Sequence, residues 1–368
     1  MDENINNLEE LRIIHEKDLN LIEAIKRRDW DQALHLLEEG ADPRWPDESQ
    51  FNALDYAQMS GNPDFFQQIY SFAKQINVQC LMERLPQLYS TFQTLPDCSL
   101  KFTWKVHSWI PFITAFCPSD TWVLWKVGNK FRIDTTLANW ADTHWTRGNT
   151  SVFFDSECPE LLDSFIVIDR VSGERFSVLR EVIDNTHLEL DCSDILQMDL
   201  IKGSIDPESI RITRSRSFFG YEISSQIIDN KWNATSYQLS NAKVSFLHVL
   251  SDNYGRDPMP PPLNHHKTYS GTFWCTQDFP IQPSMVIPFF EVMAPFSGYS
   301  KNILMLLGMF DCGMPIKGVV NVFPTVKLDF SITDFSVDVE SFRDLVNLPP
   351  EDSYQTEITP NNQNININ

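Results

Sequence analysis

The chain has 368 residues, 42% of them hydrophobic, and its 50 acidic against 29 basic residues give a formal net charge of −21. The length suits two or three domains with a sizeable core, and the hydrophobic fraction argues against a largely disordered chain. The charge argues against general nucleic-acid binding, because neutralising phosphates requires clustered Lys and Arg.

Cysteine usage and the lack of long apolar segments indicate a cytoplasmic protein. The seven cysteines are scattered without a C-x-x-C pair, which fits reduced thiols better than disulfides or a zinc site. The acidic N-terminus M-D-E-N-I-N-N-L-E-E lacks the apolar region of a signal peptide. No run approaches the roughly 18 apolar residues of a membrane span, so any contact with a membrane is expected to be peripheral.

Residues 1–78 are predicted to form ankyrin-type helical repeats. N-A-L-D-Y-A at 52–57 stands where ankyrin repeats carry T-P-L-H-x-A, and L-L-E-E-G-A-D-P at 36–43 resembles the junction after the second helix. Ala24 and Ala57 occupy equivalent places 33 residues apart, which is the ankyrin period. The segments assigned to helices are Leu19–Arg28, Gln32–Glu39, Ala53–Ser60 and Asp64–Phe72.

The two repeats depart from the ankyrin pattern and are too few to be stable alone. Asn52, Ala53 and Asp55 replace the usual Thr, Pro and His, and no third motif follows after another 33 residues. Each repeat needs neighbours on both sides to bury its faces. We therefore expect this block to dock on the domain that follows it.

Residues 79–100 are predicted to be a helical connector, Cys80–Leu95, and residues 101–345 a β-rich domain. Within this domain the aromatic stretch Trp109–Leu137 contains Gly128-Asn129, which suits a type II′ hairpin turn because Gly reaches positive φ without a steric penalty. Consecutive hairpins indicate an antiparallel meander. The assigned hairpins are Thr121–Val127 with Lys130–Thr136, Thr143–Thr146 with Ser151–Phe154 around Arg147-Gly148-Asn149, and Phe165–Asp169 with Arg175–Val182 around Ser172-Gly173.

The last third of the chain is predicted to mix a loop, helices and a strand pair before a disordered tail. The fold class that follows is α+β: two ankyrin-type repeats docked on a larger, mainly antiparallel β-rich domain with C-terminal helices. The assigned segments are an exposed Pro-rich loop at Asn253–Lys267, helices at Pro283–Ala294 and Phe296–Phe310, strands at Gly318–Phe323 and Val326–Phe330, and a disordered Asn-rich tail at 346–368.

No catalytic signature is present. The sequence lacks a phosphate-binding loop, a G-x-S-x-G elbow and an H-E-x-x-H motif. Cys117 is interpreted as a buried structural thiol and not as a nucleophile near His107 or His144. The pair His265-His266 is expected to be solvated, and Ser119-Asp120 to have a local role in capping or turning the chain.

Arg132 and Asp134 are the first candidate interaction residues. They alternate with apolar residues along a predicted strand and therefore share one face of it. On that face they either meet solvent or form a cross-strand polar pair.

Arg211, Arg214 and Arg216 are the second group of candidate interaction residues and form the one basic cluster of the sequence. Such a cluster can contact anionic lipid headgroups or phosphate. The alternative is a solvated face, which is the commoner role of three arginines on an exposed strand.

Several long motifs carry a resemblance to a known family. W-I-P-F-I-T-A-F-C-P-S-D-T-W (109–122), W-K-V-G-N-K-F-R-I-D-T-T-L (125–137) and W-T-R-G-N (145–149) resemble the core of the ankyrin-repeat-domain-13 family, whose large region is described as the GPCR-chaperone domain. The order of parts matches as well, because F-W-C-T-Q-D-F-P-I-Q-P-S-M-V-I-P-F-F-E-V-M-A-P (273–295) and M-P-I-K-G-V-V-N-V-F-P-T-V-K-L-D-F (314–330) follow. The resemblance covers about residues 10–335.

The family divides into two branches, and the resemblance implies no catalytic residues in either. One branch resembles a peripheral endoplasmic-reticulum protein that binds newly made G-protein-coupled receptors on the cytosolic side. The other sits at the plasma membrane and endosomes, where C-terminal ubiquitin-interacting motifs bind ubiquitinated receptors. This sequence has no Ala after Ala294 and ends in a polar tail, so ubiquitin binding is not expected and the first branch is favoured.

The sequence therefore predicts a non-enzymatic chaperone or quality-control factor for membrane receptors, peripheral at the endoplasmic reticulum, with no cofactor, metal or nucleic-acid partner. The alternative is an endocytic adaptor for ubiquitinated receptors at the plasma membrane or endosomes. An uncharacterised enzyme would require a polar pocket with perturbed pKa values, which the sequence does not reveal.

Overall fold

The computed structural model describes residues 15–110, 117–141, 144–184, 188–293 and 304–350. The described residues separate into two compact units. The first unit draws on Met1–Pro86, Asp184–Ser209 and Ala242–Thr268, and the second on Gln87–Ile183, Ile210–Asn241 and Tyr269–Asn368. The chain therefore passes between the units several times.

Within the described ranges there are thirteen strands, seven helices with assigned bounds, and a further helical segment at 304–308. The helices are α1 Glu16–Lys26, α2 Trp30–Glu38, α3 Ala53–Ser60, α4 Pro63–Thr94, α5 Val178–Ile183, α6 Leu188–Gln197 and α7 Pro283–Met293. The strands are β1 Cys98–Ser108, β2 Ser119–Val127, β3 Lys130–Ala141, β4 His144–Asp155, β5 Phe165–Asp169, β6 Arg175–Ser177, β7 Leu200–Ile205, β8 Arg211–Arg214, β9 Gln226–Ile228, β10 Trp232–Val249, β11 Leu263–Thr276, β12 Met314–Phe323 and β13 Val326–Ser336.

Local capping signals fix the repeat helices of the first unit. The side chain of Asn52 accepts a hydrogen bond from Asp55 N at 2.9 Å, and Asp55 accepts one from Asn52 N at 2.7 Å, which together form a capping box for α3. Gly61 ends α3 in the left-handed region with a φ of +65°. Two of the departures from the ankyrin pattern thus serve to start this helix.

The core of the first unit combines the repeat helices with later parts of the chain. Ala24 and Ala57 are completely buried, as their equivalent places in two repeats require. The same core cluster includes Cys192 of α6, Leu200 of β7 and Val249 of β10. The repeat helices therefore share one apolar core with segments that come more than a hundred residues later.

One long helix replaces the separate helix and connector predicted at Asp64–Phe72 and Cys80–Leu95. Helix α4 runs through both over 32 residues and has Pro86 in its interior. No glycine or proline stands between Phe72 and Cys80 to end it. Both segments are thus helical as predicted, but the break expected between them is absent, and the division between the two units falls within this helix at Pro86.

The second unit is an antiparallel sheet, which confirms the α+β class. Its strands follow the order β6-β5-β4-β3-β2-β1-β13-β12-β11, so β1 to β6 form a meander and β13 returns beside β1. The first half of β10 pairs with β8 and β9 in this unit, whereas its second half pairs with β7 in the first unit. All three of these β10 pairings are antiparallel as well.

The hairpin of β2 and β3 forms as predicted, whereas the turn predicted at Arg147-Gly148-Asn149 does not. Gly128 has a φ of +56°, as the first central position of a II′ turn requires, and Val127 pairs with Lys130. Strand β4 is continuous across residues 147–149. Its register shifts there relative to β3, which is a β-bulge, and an internal Gly marks a bulge as readily as a turn.

Two further predictions are wrong at their boundaries. The strand predicted to Val182 ends at Ser177, because Val178–Ile183 have the apolar spacing of a helical turn and form α5. The loop predicted to Lys267 ends earlier, at the start of β11. Of the two helices predicted near the C-terminal end, α7 is found up to Met293, and residues 304–308 of the second are helical. The predictions for 294–303 and 351–368 lie outside the described residues.

Candidate functional site

Arg132 and Asp134 lie together in a partly buried polar network of the second unit. Arg132 Nε and Nη2 donate to the two carboxylate oxygens of Asp134, each at 2.7 Å, and Ser151 Oγ donates to Asp134 at 2.7 Å. Arg170 Nη1 lies 3.3 Å from the same carboxylate. The Arg132 guanidinium also packs over the rings of Trp125 and Phe153 at 5.2 and 5.1 Å. Arg132 and Asp134 thus pair along β3 itself, and the cross-strand polar contact is the one from Ser151 of β4.

Asp120 is a buried carboxylate whose role is not local. Its oxygens accept from Thr121 N at 2.7 Å and Trp122 Nε1 at 2.7 Å, and on β3 from Thr136 N at 3.1 Å and Thr136 Oγ1 at 2.8 Å. Thr135 Oγ1 donates a fifth hydrogen bond. The side chain therefore joins the start of β2 to β3 and does more than turn the chain. We call these residues the Asp120 cluster.

The Asp120 cluster stabilises a charged carboxylate through hydrogen bonds. Burial raises the pKa of a carboxyl group, but the hydrogen bonds from Thr135, Thr136 and the two backbone amides outweigh that effect. They hold the pKa of Asp120 below its usual value. Asp120 also lines a cleft of about 640 Å³, yet five donors already occupy its two oxygens. A carboxylate has about four lone-pair sites, so this one is poorly suited to accept a proton from a substrate.

The basic cluster lies at the base of a short hairpin in the second unit. Arg211 and Arg214 are on β8, and Arg216 follows in an isolated bridge with Glu222. We call residues 215–223 the aromatic hairpin. Its turn is closed by hydrogen bonds from Ser217 N to Tyr221 O at 2.7 Å and from Gly220 N to Ser217 O at 2.9 Å, and Gly220 has a φ of +83°. Such a left-handed position favours glycine.

The tip of the aromatic hairpin carries three exposed rings. Phe218 is 99% exposed, Phe219 82% and Tyr221 77%. The rings of Phe218 and Phe219 meet edge to face with centroids 5.6 Å apart. Sequence reasoning identified the arginines but not these rings. The run S-F-F-G-Y between polar residues could have indicated them, because two apolar residues beside a turn glycine lie at a loop tip and not in a core.

The three arginines differ in how they are paired. Arg214 Nη1 donates to Glu222 Oε2 at 2.7 Å, and Arg211 Nη1 donates to Ile210 O at 2.9 Å. Arg216 is exposed and has no ion-pair partner within the part of the chain that the structure describes. The hairpin and β8 thus hold three arginines against one glutamate, in a chain with a net charge of −21.

A cleft of about 710 Å³ adjoins the base of the aromatic hairpin and is lined by Arg214 and Arg216. Ser215 and Ser236 also line it, and both residues are more than nine-tenths buried. The hydroxyl oxygens of these two serines and Nε1 of Trp274, another lining residue, have no hydrogen-bond partner within the described ranges. An indole N–H only donates and a hydroxyl can donate, so the cleft favours an acceptor such as a phosphate or carboxylate.

The other residues considered for chemistry do not assemble into a site. His265 and His266 are exposed on β11, and His266 Nδ1 lies 2.9 Å from Ser245 Oγ. Cys117 is half-buried, not buried as predicted. Among the described residues, no group of three or more His, Cys, Asp or Glu side chains could hold a metal ion. No described helix is long and apolar enough to cross a membrane.

A family model and several curated proteins are similar to this chain. The model described as ANKRD13 C-terminal matches residues 132–250, a range that includes all five candidate interaction residues. The human ankyrin repeat domain-containing protein 13A is 28% identical over 177 residues, covering 46% of this chain and 30% of that protein. The 13C protein of Xenopus tropicalis is 22% identical over 335 residues, covering 76% of this chain and 65% of that protein.

Two further relatives have sequence identities in the same range. Human 13C is 22% identical over 323 residues, covering 72% of this chain and 59% of that protein. Mouse 13B is 28% identical over 148 residues, covering 40% of this chain and 23% of that protein. The chain thus spans less than two thirds of the length of each of these curated relatives.

Proposed function

Because the chain belongs to the ankyrin-repeat-domain-13 family, we propose that it is a non-enzymatic chaperone or quality-control factor for membrane receptors of the G-protein-coupled class. In this proposal it binds newly made receptors at the cytosolic face of the endoplasmic reticulum and regulates their folding and export. The protein acts by holding a client, so its activity depends on exposed surfaces and not on reacting groups.

The extent of similarity to the 13C relatives carries the proposal. The match to the Xenopus tropicalis protein covers 76% of this chain. Neither compact unit holds that large a share, so the match must extend through parts of both. Similarity that extends through parts of both units supports a function that uses more than one of them.

The second candidate is an endocytic adaptor that binds ubiquitinated receptors at the plasma membrane or endosomes. The observation in its favour is that the 13A and 13B relatives are 28% identical to this chain, although over only 46% and 40% of it. These matches are shorter than those to the 13C proteins, and for that reason the chaperone proposal is preferred.

Receptor maturation separates the two candidates. The full chain would be expressed with an N-glycosylated receptor of this class and captured after solubilisation in a mild detergent. The chaperone proposal expects the captured receptor to be the endoglycosidase-H-sensitive form, which has not left the endoplasmic reticulum. Capture of only the resistant, ubiquitinated form, together with robust binding of the purified chain to ubiquitin beads, would establish the adaptor instead.

Two controls sharpen the experiment. A soluble cytosolic protein expressed at the same level should not be captured, since the proposal requires a receptor client. The variant with Phe218→Ser and Phe219→Ser should still capture the immature receptor in detergent, because no bilayer is present there. Failure to capture any form of the receptor would contradict both candidates.

A further inference from the structure

We propose that the aromatic hairpin at residues 215–223 is a membrane anchor, which inserts its phenylalanine rings into a bilayer and places its arginines at anionic lipid headgroups. The inference deepens the peripheral membrane location contained in the proposed function. It stands on the geometry of the hairpin itself, and it assigns a lipid surface to one loop of the second unit.

The rings at the tip form a projection and not a flat patch. Phe218 is 99% exposed, and the ring contact found for it is with Phe219. A side chain with almost its whole surface in water fits a protein partner only if that partner supplies a deep matching pocket. A fluid bilayer accepts such a projection without a pocket, and burial of apolar surface drives insertion.

The chemical order along the hairpin matches the order of layers in a bilayer. Phe218 and Phe219 are at the tip, Tyr221 stands beside them, and Arg216 and Arg214 are at the base. In membrane-bound proteins apolar rings reach the acyl chains, Tyr lies at the interface, and Arg remains among the headgroups. The hairpin therefore has one group of side chains for each depth.

Charge complementarity favours an anionic lipid surface. Arg211, Arg214 and Arg216 outnumber Glu222 on β8 and the hairpin, whereas the whole chain has a net charge of −21. Most of such a protein surface is repelled by an anionic leaflet. The local excess of positive charge at the hairpin is attracted to it over about a Debye length.

The adjoining cleft offers a place for the headgroup itself. Arg214 and Arg216 line it together with the unpartnered hydroxyls of Ser215 and Ser236 and the unpartnered N–H of Trp274. Each buried unpartnered group favours a new hydrogen bond, and a phosphate diester or carboxylate supplies only acceptors. Rotation of the serine side chains toward a headgroup would satisfy them.

Vesicle sedimentation of the full chain tests the proposal. Vesicles of phosphatidylcholine alone would be compared with vesicles containing about 30% phosphatidylserine, a composition that gives the surface a negative potential. Wild-type protein should bind the anionic vesicles, and binding should weaken as salt is added. The Phe218→Ser/Phe219→Ser variant should lose on the order of tenfold in partitioning for each ring. Arg216→Gln should lose about fivefold on anionic vesicles and almost nothing on neutral ones.

Matched variants separate insertion from general changes of the surface. Phe176→Ser/Phe323→Ser removes two other exposed phenylalanines of the second unit and should leave vesicle binding unchanged. Arg175→Gln removes one exposed arginine outside the hairpin and should also have no effect. Because the tip rings are in solvent, thermal unfolding of the hairpin variants should match wild type, which shows that lost binding is not lost folding.

The depth to which the hairpin tip enters the bilayer gives a second measurement. Acyl chains carrying bromine should quench the fluorescence of Phe219→Trp more than that of the wild-type protein, since only an inserted ring meets the bromine. Equal binding by wild-type and hairpin variants would overturn the proposal, as would capture of a detergent-solubilised receptor with no binding to vesicles. The vesicles contain no receptor, so these outcomes leave the proposed receptor function to its own test.

Discussion

Replacing Asp120 with Asn should destabilise the second unit far more than a typical surface change. The asparagine keeps the shape of the side chain but has one acceptor oxygen and one amide NH₂ group. If the oxygen stays with Thr121 N and Thr136 N, the amide faces Trp122 Nε1, which is also a donor. The threonine hydroxyls can rotate to accept, whereas the indole N–H cannot.

The size of the effect follows from these bonds. A buried donor left without an acceptor costs about 1–3 kcal/mol, and hydrogen bonds to a charged group exceed neutral ones by about 1 kcal/mol. Trp122 is 44% exposed, so water can partly replace the lost acceptor and the low end applies to it. We expect Asp120→Asn to lower the free energy of unfolding around β2 and β3 by about 2–3 kcal/mol.

The effect should depend on pH with a defined sign. The hydrogen bonds hold the folded-state pKa of Asp120 below its unfolded value, so their stabilisation is fully present above the unfolded pKa of about 3.9. It is lost as the pH falls through the folded-state pKa. The difference between wild type and Asp120→Asn should thus be constant at neutral pH and shrink in strong acid.

Native-state hydrogen exchange is the suitable assay, because a chain with two units need not unfold in one step. Backbone amides of β2 and β3 should exchange roughly 30- to 150-fold faster in Asp120→Asn. Asp338→Asn, a matched change whose side chain forms no capping hydrogen bond, should stay within about 0.5 kcal/mol of wild type. Equal exchange in Asp120→Asn and Asp338→Asn would refute the reasoning.

The remaining predictions concern both units. Gly61→Ala should lower the stability more than Gly40→Ala. Both glycines have a positive φ, but only at Gly61 would an added Cβ meet another backbone atom, Gly255 N, at 2.7 Å. Equal shifts of the thermal midpoint in the two variants would contradict this. A fragment of residues 1–78 should show no cooperative thermal transition, because its core is completed by later segments; a sharp calorimetric peak would contradict this. Arg132→Gln should destabilise the second unit by about 1–3 kcal/mol in urea unfolding, since it leaves Asp134 poorly paired; an unchanged midpoint would show that the pair is dispensable.

The elements that sequence reasoning places well are those with local causes. Helix α3 is predicted at Ala53–Ser60 and is found there, because Asn52 and Gly61 supply both ends within the segment itself. The β2–β3 hairpin is predictable because Gly128 meets a local need for positive φ. The family resemblance is also confirmed, because it was read from long ordered motifs that are visible in the sequence alone.

The elements that sequence reasoning misplaces depend on partners distant in the chain. The prediction of a local role for Asp120 is wrong because its partners on β3 are 15 and 16 residues away. The prediction of a turn at Gly148 is wrong because pairing with β3 makes this glycine part of a bulge. Nothing in a sequence window distinguishes these outcomes, because each is decided by the strand that packs alongside.

The sequence by itself determined the fold class, the repeat period, the family resemblance, and the position of the basic cluster, since composition, spacing and motifs are local properties. Only the tertiary structure decided which polar side chains are internal and which are available. In the folded chain Arg132 and Asp134 form an ion pair, and Phe218 and Phe219 lie in solvent beside Arg216. Exposure and pairing arise when segments distant in sequence meet, and for that reason the aromatic hairpin became visible only in the folded chain.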